Sequence, residues 1–287
     1  MKTKAIIRTM KAHFLFLAAL AVLSAACRRD PLPTPSPRLS ATVEAPTKGF
    51  YDSGGNFCWH HGDALSFWSD WGFFQAGFYE GADGTTDSYF SVDPYSMQNA
   101  RTLCFFPHIP GQPYDEATRQ LTLCLPDQYT TEWSDRMLLP LAGWLTTRKG
   151  DFYTSLKHVG GAVLVPVQNL PEGRKNIFLV ADKRIAGEFP LDLSKLGTDG
   201  CKAVADNKIH DNLDRIRISY VQIGAIQECS FCFPVPTGEY RLGVEVWIDG
   251  KPYWSQPIGS HINRIGRGTI LRMPAVLVEP PVKSAEP

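Results

Sequence analysis

The sequence predicts an all-β protein long enough for two domains, and three observations predict it. Nearly every ordered segment is short and rich in Val, Ile, Phe, Tyr or Trp, as half-buried strands are. These segments are bounded by Gly, Pro, Asn or Asp, with 24 glycines and 22 prolines available as turn formers. Beyond an N-terminal export segment roughly 260 residues remain, more than one sandwich of about 100 residues needs and enough for two.

The elements follow in order. Residues 1–26 read as a secretory signal: Lys2, Lys4, Arg8 and Lys11, then the apolar run Phe14–Leu23, then Ser24-Ala25-Ala26. The run is about half the ~20 residues a membrane-spanning helix needs. Cys27 at the first position after the cut makes this look like a bacterial lipoprotein signal, with Cys27 the lipid (palmitate) attachment site on the outer membrane. Ser24 stands where such signals usually carry Leu. Ser24 and Ala26 also suit an ordinary signal peptidase, which would leave Cys27 unlipidated. Residues 27–38 form a Pro/Ser/Thr-rich tether.

The first domain is expected over residues 39–170, with strands at Leu39–Glu44, Ala64–Trp68, Phe74–Tyr79, Thr102–Phe106, Gln120–Leu125 and Gly161–Val167, the last closing it. A boundary falls near Leu170-Pro171-Glu172-Gly173-Arg174. The second domain is expected over 171–278, with strands at Asn176–Val180, Ile216–Gln222, Cys229–Phe233 and Thr269–Leu277. Its clearest element is Tyr240–Ile248, where Tyr240, Leu242, Val244, Val246 and Ile248 alternate with Arg241, Gly243, Glu245 and Trp247. Asp249-Gly250 then supplies a two-residue hairpin turn, and Pro252 in the return strand marks an edge. Ser134–Leu139 and Lys202–Asp211 are short helical expectations. Residues 279–287 are a Pro-rich tail.

The side chains offer no catalytic constellation: no HExxH, no phosphate-binding Gly loop after a strand and no Gly-x-Ser-x-Gly elbow. No enzyme activity, cofactor or metal is expected. The chain has 29 basic and 29 acidic residues; the signal carries four of the basic ones and none of the acidic, so the mature chain is weakly acidic. Such a balance gives no electrostatic basis for nucleic-acid binding. Cys229 and Cys232 are three apart on an expected strand, so their sulfurs should diverge to opposite faces rather than share a zinc ion. His60-His61-Gly62-Asp63 reads as one exposed and one packed His on a Gly-Asp turn. Asp83–Asp87 reads as a solvated turn rather than a calcium loop. Trp59, Trp68, Trp71, Phe73, Phe74, Phe78 and Tyr79 are close in sequence; core and edge packing is the expectation, and a sugar-stacking platform is the alternative.

Several segments together, in order, resemble the fimbrillin-like family of Bacteroidales, lipoprotein precursors of fimbriae. They are Leu39–Ala45 after the lipidated Cys, Trp59-His-His-Gly62-Asp63 through Phe67, Phe74–Phe78, Leu103–Pro107, Leu123–Tyr129 with its Leu-Pro-x-Gln, Leu156–Val165, and Ile177–Phe189. The resemblance implies two transthyretin-like, Greek-key sandwiches and a structural and adhesive role. It also implies assembly by strand exchange: a protease removes the first strand, and the C-terminal segment of a neighbouring subunit fills the groove. Here the processing candidates are Arg38 before the first strand and Lys48 after it. The exchange candidates are Leu39, Ala41 and Val43 in the first strand and Ile270, Ala275 and Leu277 in the last. The expected partners are other fimbrial subunits, in a shaft, tip or accessory position, and an unspecified surface receptor. The alternative function is a lipid-anchored glycan-binding protein of a polysaccharide-uptake system.

Overall fold

A computed structural model describes residues 38–43, 58–68, 74–85, 89–92, 103–108, 111–131, 139–207 and 213–279. The expected signal, Cys27, Lys48, Trp71, Phe73, Asp87, the helical expectation at Ser134–Leu139 up to residue 138, and the tail beyond Glu279 lie outside these residues.

The chain is all-β. In order, its strands are β1 (Arg38–Val43), β2 (Ala64–Trp68), β3 (Phe74–Tyr79), β4 (Tyr89–Ser91), β5 (Leu103–Phe106), β6 (Tyr114–Asp115), β7 (Gln120–Leu125), β8 (Gln128–Thr131), β9 (Leu141–Arg148), β10 (Asp151–His158) and β11 (Gly161–Leu170). They continue with β12 (Lys175–Ala181), β13 (Gly187–Asp192), β14 (Arg215–Tyr220), β15 (Ile226–Val235), β16 (Gly238–Tyr240), β17 (Leu242–Ile248), β18 (Lys251–Gln256), β19 (Asn263–Ile265), β20 (Ile270–Arg272) and β21 (Val276–Leu277). A single 3₁₀ turn, Leu193–Lys195, is the helical element among the described residues. The described part of the helical expectation at Lys202–Asp211 is instead irregular, with one bridge from Val204 to Thr237.

In the N-terminal half the pairing runs unbroken round seven strands, β1-β10-β9-β5-β2-β3-β4 and back to β1. The expected N-terminal sandwich therefore takes the form of a closed ring. Period-2 alternation sends Leu65 and Phe67 of β2, Phe90 of β4, Leu141 and Leu145 of β9, and Phe152 and Leu156 of β10 into one interior cluster with Trp59. On the other face of β5 and β9, Leu103, Phe105 and Ala142 meet Leu121, Leu123 and Leu125 of β7 and Phe189 and Leu191 of β13. The three-stranded sheet β13-β7-β6 thus covers that part of the ring's outside.

The second core lies between the five-stranded sheet β18-β17-β12-β14-β8 and the sheet of β15, β11, β20 and β21. Val163, Val165 and Val167 of β11 face Ile177 and Leu179 of β12 and Val244 and Val246 of β17. This placement corrects one expectation: β11 does not close the N-terminal half but pairs with β15, β20 and β21. Its other face, Ala162 and Leu164, is buried too, against Leu139, Cys232 and Ile270. A strand buried on both faces needs a near-continuous apolar run, and Ala162–Val167 is one. The boundary expected near residue 170 falls in the turn from β11 to β12. Two ladders cross it, β7 with β13 and β8 with β14.

The Asp249-Gly250 turn forms with φ of 48° and 77°, the left-handed pair that a type I′ hairpin requires. Pro252 lies on β18, an edge strand. At the start of β12, Lys175 is only 1% exposed. Its ammonium donates to the carbonyls of Gly173 (2.8 Å), Gln222 (3.2 Å), Ile223 (3.0 Å) and Gly224 (2.8 Å). Four oxygens replace the water that a buried charge would otherwise lose, and the β14–β15 loop is pinned to the β11–β12 turn.

Candidate functional site

β1 is the one strand joining β4 to β10, so six residues close the ring. It runs parallel to β10, with Leu39 opposite Phe152, Ala41 opposite Thr154 and Val43 opposite Leu156. On its other side it is antiparallel to β4, with Leu39 opposite Phe90. Alternation points Leu39 (0% exposed) and Ala41 (2%) inward and leaves Ser40 and Thr42 on the outer face. Val43 packs at the margin of the same cluster. The Thr42 hydroxyl reaches the Thr154 carbonyl at 3.4 Å. Burying a leucine side chain is worth about 1.5–3 kcal/mol and an alanine far less. The side chains of β1 therefore hold it by only a few kcal/mol. Its loss would open the ring along two strand edges and uncover Phe90, Phe152 and Leu156. Arg38 is the first residue of β1, paired with Ser91 through the backbone.

At the C-terminus, the segment expected as one strand, Thr269–Leu277, is two. β20 pairs parallel to β11 with Ile270 opposite Ala162, and β21 pairs parallel to β11 with Val276 opposite Val167. Between them lie Met273, Pro274 and Ala275, outside any strand. The offset to β11 grows by one residue across this gap, so the inward parity flips. Ile270 faces Leu164 and Cys232, whereas Val276 and Val278 face the second core. Ala275 is exposed and Leu277 points outward. Pro274, with no N–H to give a ladder, marks the break.

The His60–Asp63 segment is a clamped turn. Asp63 accepts from the His60 amide at 2.7 Å, and Asp83 accepts from the His61 amide at 2.7 Å. That amide bond, with His60 Nδ1 at 3.3 Å, holds the Asp83 carboxyl below the usual carboxylate range. The two acids thus serve turn amides. Trp59, just before the turn, is buried among Tyr79, Phe90 and Phe106, so it presents no face to a sugar. Trp68 packs edge-on against Tyr114 at 4.9 Å. Phe78 is exposed on the outside of β3. Cys229 packs with the second core and Cys232 with the opposite face of β15, as their odd spacing requires. Burial pushes the thiol of Cys232 up to about 12 and that of Cys201 up to about 11, out of reach of thiolate chemistry at neutral pH.

One further feature lies outside every sequence expectation. A groove of about 380 Å³ opens on the outer face of β1, β10 and β9, beside the 3₁₀ turn. Ser40, Thr42, Ser155 and Thr146 supply hydroxyls to it, Trp144 and Tyr153 supply rings, and Leu196 and Gly197 form a rim. The β9–β10 ladder passes from Thr154↔Leu145 directly to Lys157↔Ala142, omitting two rungs. Gly143 sits at the omission; a Cβ there would lie 2.5 Å from the Ser155 carbonyl oxygen. The visible sequence signal was Lys149-Gly150, a left-handed pair (φ 53° and 87°) between two alternating segments.

These features define an all-β protein whose two terminal segments both dock as parallel strands, one closing a ring and one at a sheet margin. No protein-family model matches the chain, and no curated protein sequence matches it. Among solved structures it is similar to a candidate cell adhesion protein of Bacteroides ovatus at 9% identity. That match covers 84% of this chain and 91% of the other, with a TM-score of 0.47. It is also similar to a candidate cell adhesion protein of Bacteroides fragilis at 12% identity, covering 83% and 91%, with a TM-score of 0.42. A fimbrial protein of Bacteroides ovatus aligns at 10% identity over 85% of this chain and 48% of its own length, with a TM-score of 0.36.

Proposed function

We propose that the chain is a non-enzymatic structural and adhesive subunit of surface fimbriae, exported and anchored to the outer membrane through lipid on Cys27, and that it assembles with related subunits by strand exchange at β1. The observation that carries this reading is the closure of the ring by a single six-residue N-terminal strand. Main-chain bonds along β10 and β4 would bind any extended segment, and the pockets of Leu39 and Ala41 would set its register. The order of fimbrillin-like segments along the sequence supports the same reading. Lys48 follows β1, so a cut there frees the strand; a cut at Arg38 leaves it in place. The donor segment runs from Ile270 through Ala275 to Leu277. Division into two domains near residue 170 accompanies this proposal, with β11 assigned to the second.

The test is controlled digestion of the exported protein with a lysine-specific protease, followed by size-exclusion chromatography and mass spectrometry. Release of residues up to Lys48 should convert monomers to oligomers, and Lys48→Ala should block the conversion. Cleaved protein that loses the strand and stays monomeric, with or without an added peptide spanning residues 269–279, overturns the strand-exchange reading. Labelling of cells with a palmitate analogue should tag the wild type and not Cys27→Ala.

A further inference from the structure

We infer that the groove over β1, β10 and β9 is a binding site for an uncharged oligosaccharide. Its volume, about 380 Å³, falls in the range of about 300–1,000 Å³ typical of small-molecule sites. Its lining is the chemistry that a sugar needs. Tyr153 is 41% exposed and offers a ring to the apolar C–H face of a pyranose, with Trp144 across the groove. Ser40 and Ser155 offer hydroxyls that both donate and accept, matching ligand hydroxyls without adding charge. Among the described residues that line the groove none is a carboxylate, and Lys157 is the one with a charge.

The β9–β10 ladder also omits its rungs at Gly143 and Trp144, directly beneath the cavity. The register extends the site across the sheet: Ser40 lies between Tyr153 on β10 and Tyr89 on β4. Both tyrosines are exposed and lie two strands apart, roughly 10 Å, a spacing that suits successive sugar residues of a chain.

The groove needs β1 in place, with Ser40 and Thr42 in its lining, so the inference concerns the chain before any exchange of that strand, and failure of strand exchange leaves it standing. The experiment is saturation-transfer NMR and calorimetry on the exported full chain with maltohexaose, mannohexaose, cellohexaose and xylohexaose as probes. At least one should bind with a dissociation constant of about 0.1–10 mM, the affinity of a shallow single site. Tyr153→Ala should weaken that binding about tenfold. Ile258→Ala, which removes an exposed apolar side chain after β18 in the other half of the chain, should leave it unchanged. Thermal midpoints within error of the wild type would show that both variants fold. Binding by none of the four probes, equal binding by Tyr153→Ala, or binding confined to an acidic polymer such as polygalacturonate overturns the inference.

Discussion

The two halves of the chain use the same strand chemistry and close it differently. The C-terminal half presses two sheets together around an aliphatic and aromatic cluster, with Lys175 and Thr237 buried beside it. Its terminal strand β21 contributes Val276 and follows the margin of β11, so losing it would strip an edge and leave the facing sheets intact. The N-terminal half closes on itself through β1, and polar groups reach its buried positions, Ser66 on β2 and Thr154 on β10. Losing β1 would break the ring's continuity and create two new edges at once. Closure by one strand concentrates lability at one place; closure by facing sheets spreads stability over every strand.

The largest effect should come from the sandwich half. Lys175→Met keeps the length of the stem and removes the ammonium, leaving the carbonyls of Gly173, Gln222, Ile223 and Gly224 without their common donor. We expect a loss of about 3–5 kcal/mol in chemical denaturation, with the β14–β15 loop becoming protease-sensitive. A loss below about 1 kcal/mol would mean that water replaces the ammonium easily and that this half is not locked at that end. In the ring, Gly143→Ala should cost about 1–3 kcal/mol, because the new methyl meets the Ser155 backbone, which cannot rotate away as a side chain could. Unfolding monitored by tryptophan fluorescence checks it. A neutral outcome would show that β9 and β10 separate freely, and the ring would then be looser than its continuous pairing implies.

What could be read from the sequence follows the same division. β2, β3 and β7 match their expected limits, and β12, β14, β15 and β17 are displaced by only a few residues. Each carries an apolar alternation or run ended by a clear turn former. The β9–β10 hairpin, which bears the groove, was not legible. On β10 the inward positions are Phe152, Thr154, Leu156 and His158, so polar residues occupy half of the buried face and dilute the period-2 signal. On β9, Gly143 and Ala142 leave little apolar contrast. The ring closure itself depends on β1 pairing with β10, more than a hundred residues away, and no local pattern encodes that. The same holds for the one-residue shift between β20 and β21: Pro274 announces a break but not its parity.

The smallest effect concerns pH and separates the halves most cleanly. His108 follows β5, with Nδ1 2.5 Å from the hydroxyl of Ser66, which is itself fully buried on β2. Partial burial lowers the His108 pKa below its usual 6.5. The unfolded chain therefore takes up a proton before the folded one does as pH falls. The contribution is fully present above pH 6.5 and is lost as pH drops from 6.5 through the lowered folded value. Acidification from pH 7.5 toward 5 should then lower the stability of the ring and spare the sandwich half, as read by hydrogen exchange at β2 and β5 against β12 and β17. His108→Gln should flatten that slope in the ring. Equal loss in both halves would mean that the ring and the sandwich unfold as one cooperative unit, and closure by β1 would then give the ring no lability of its own.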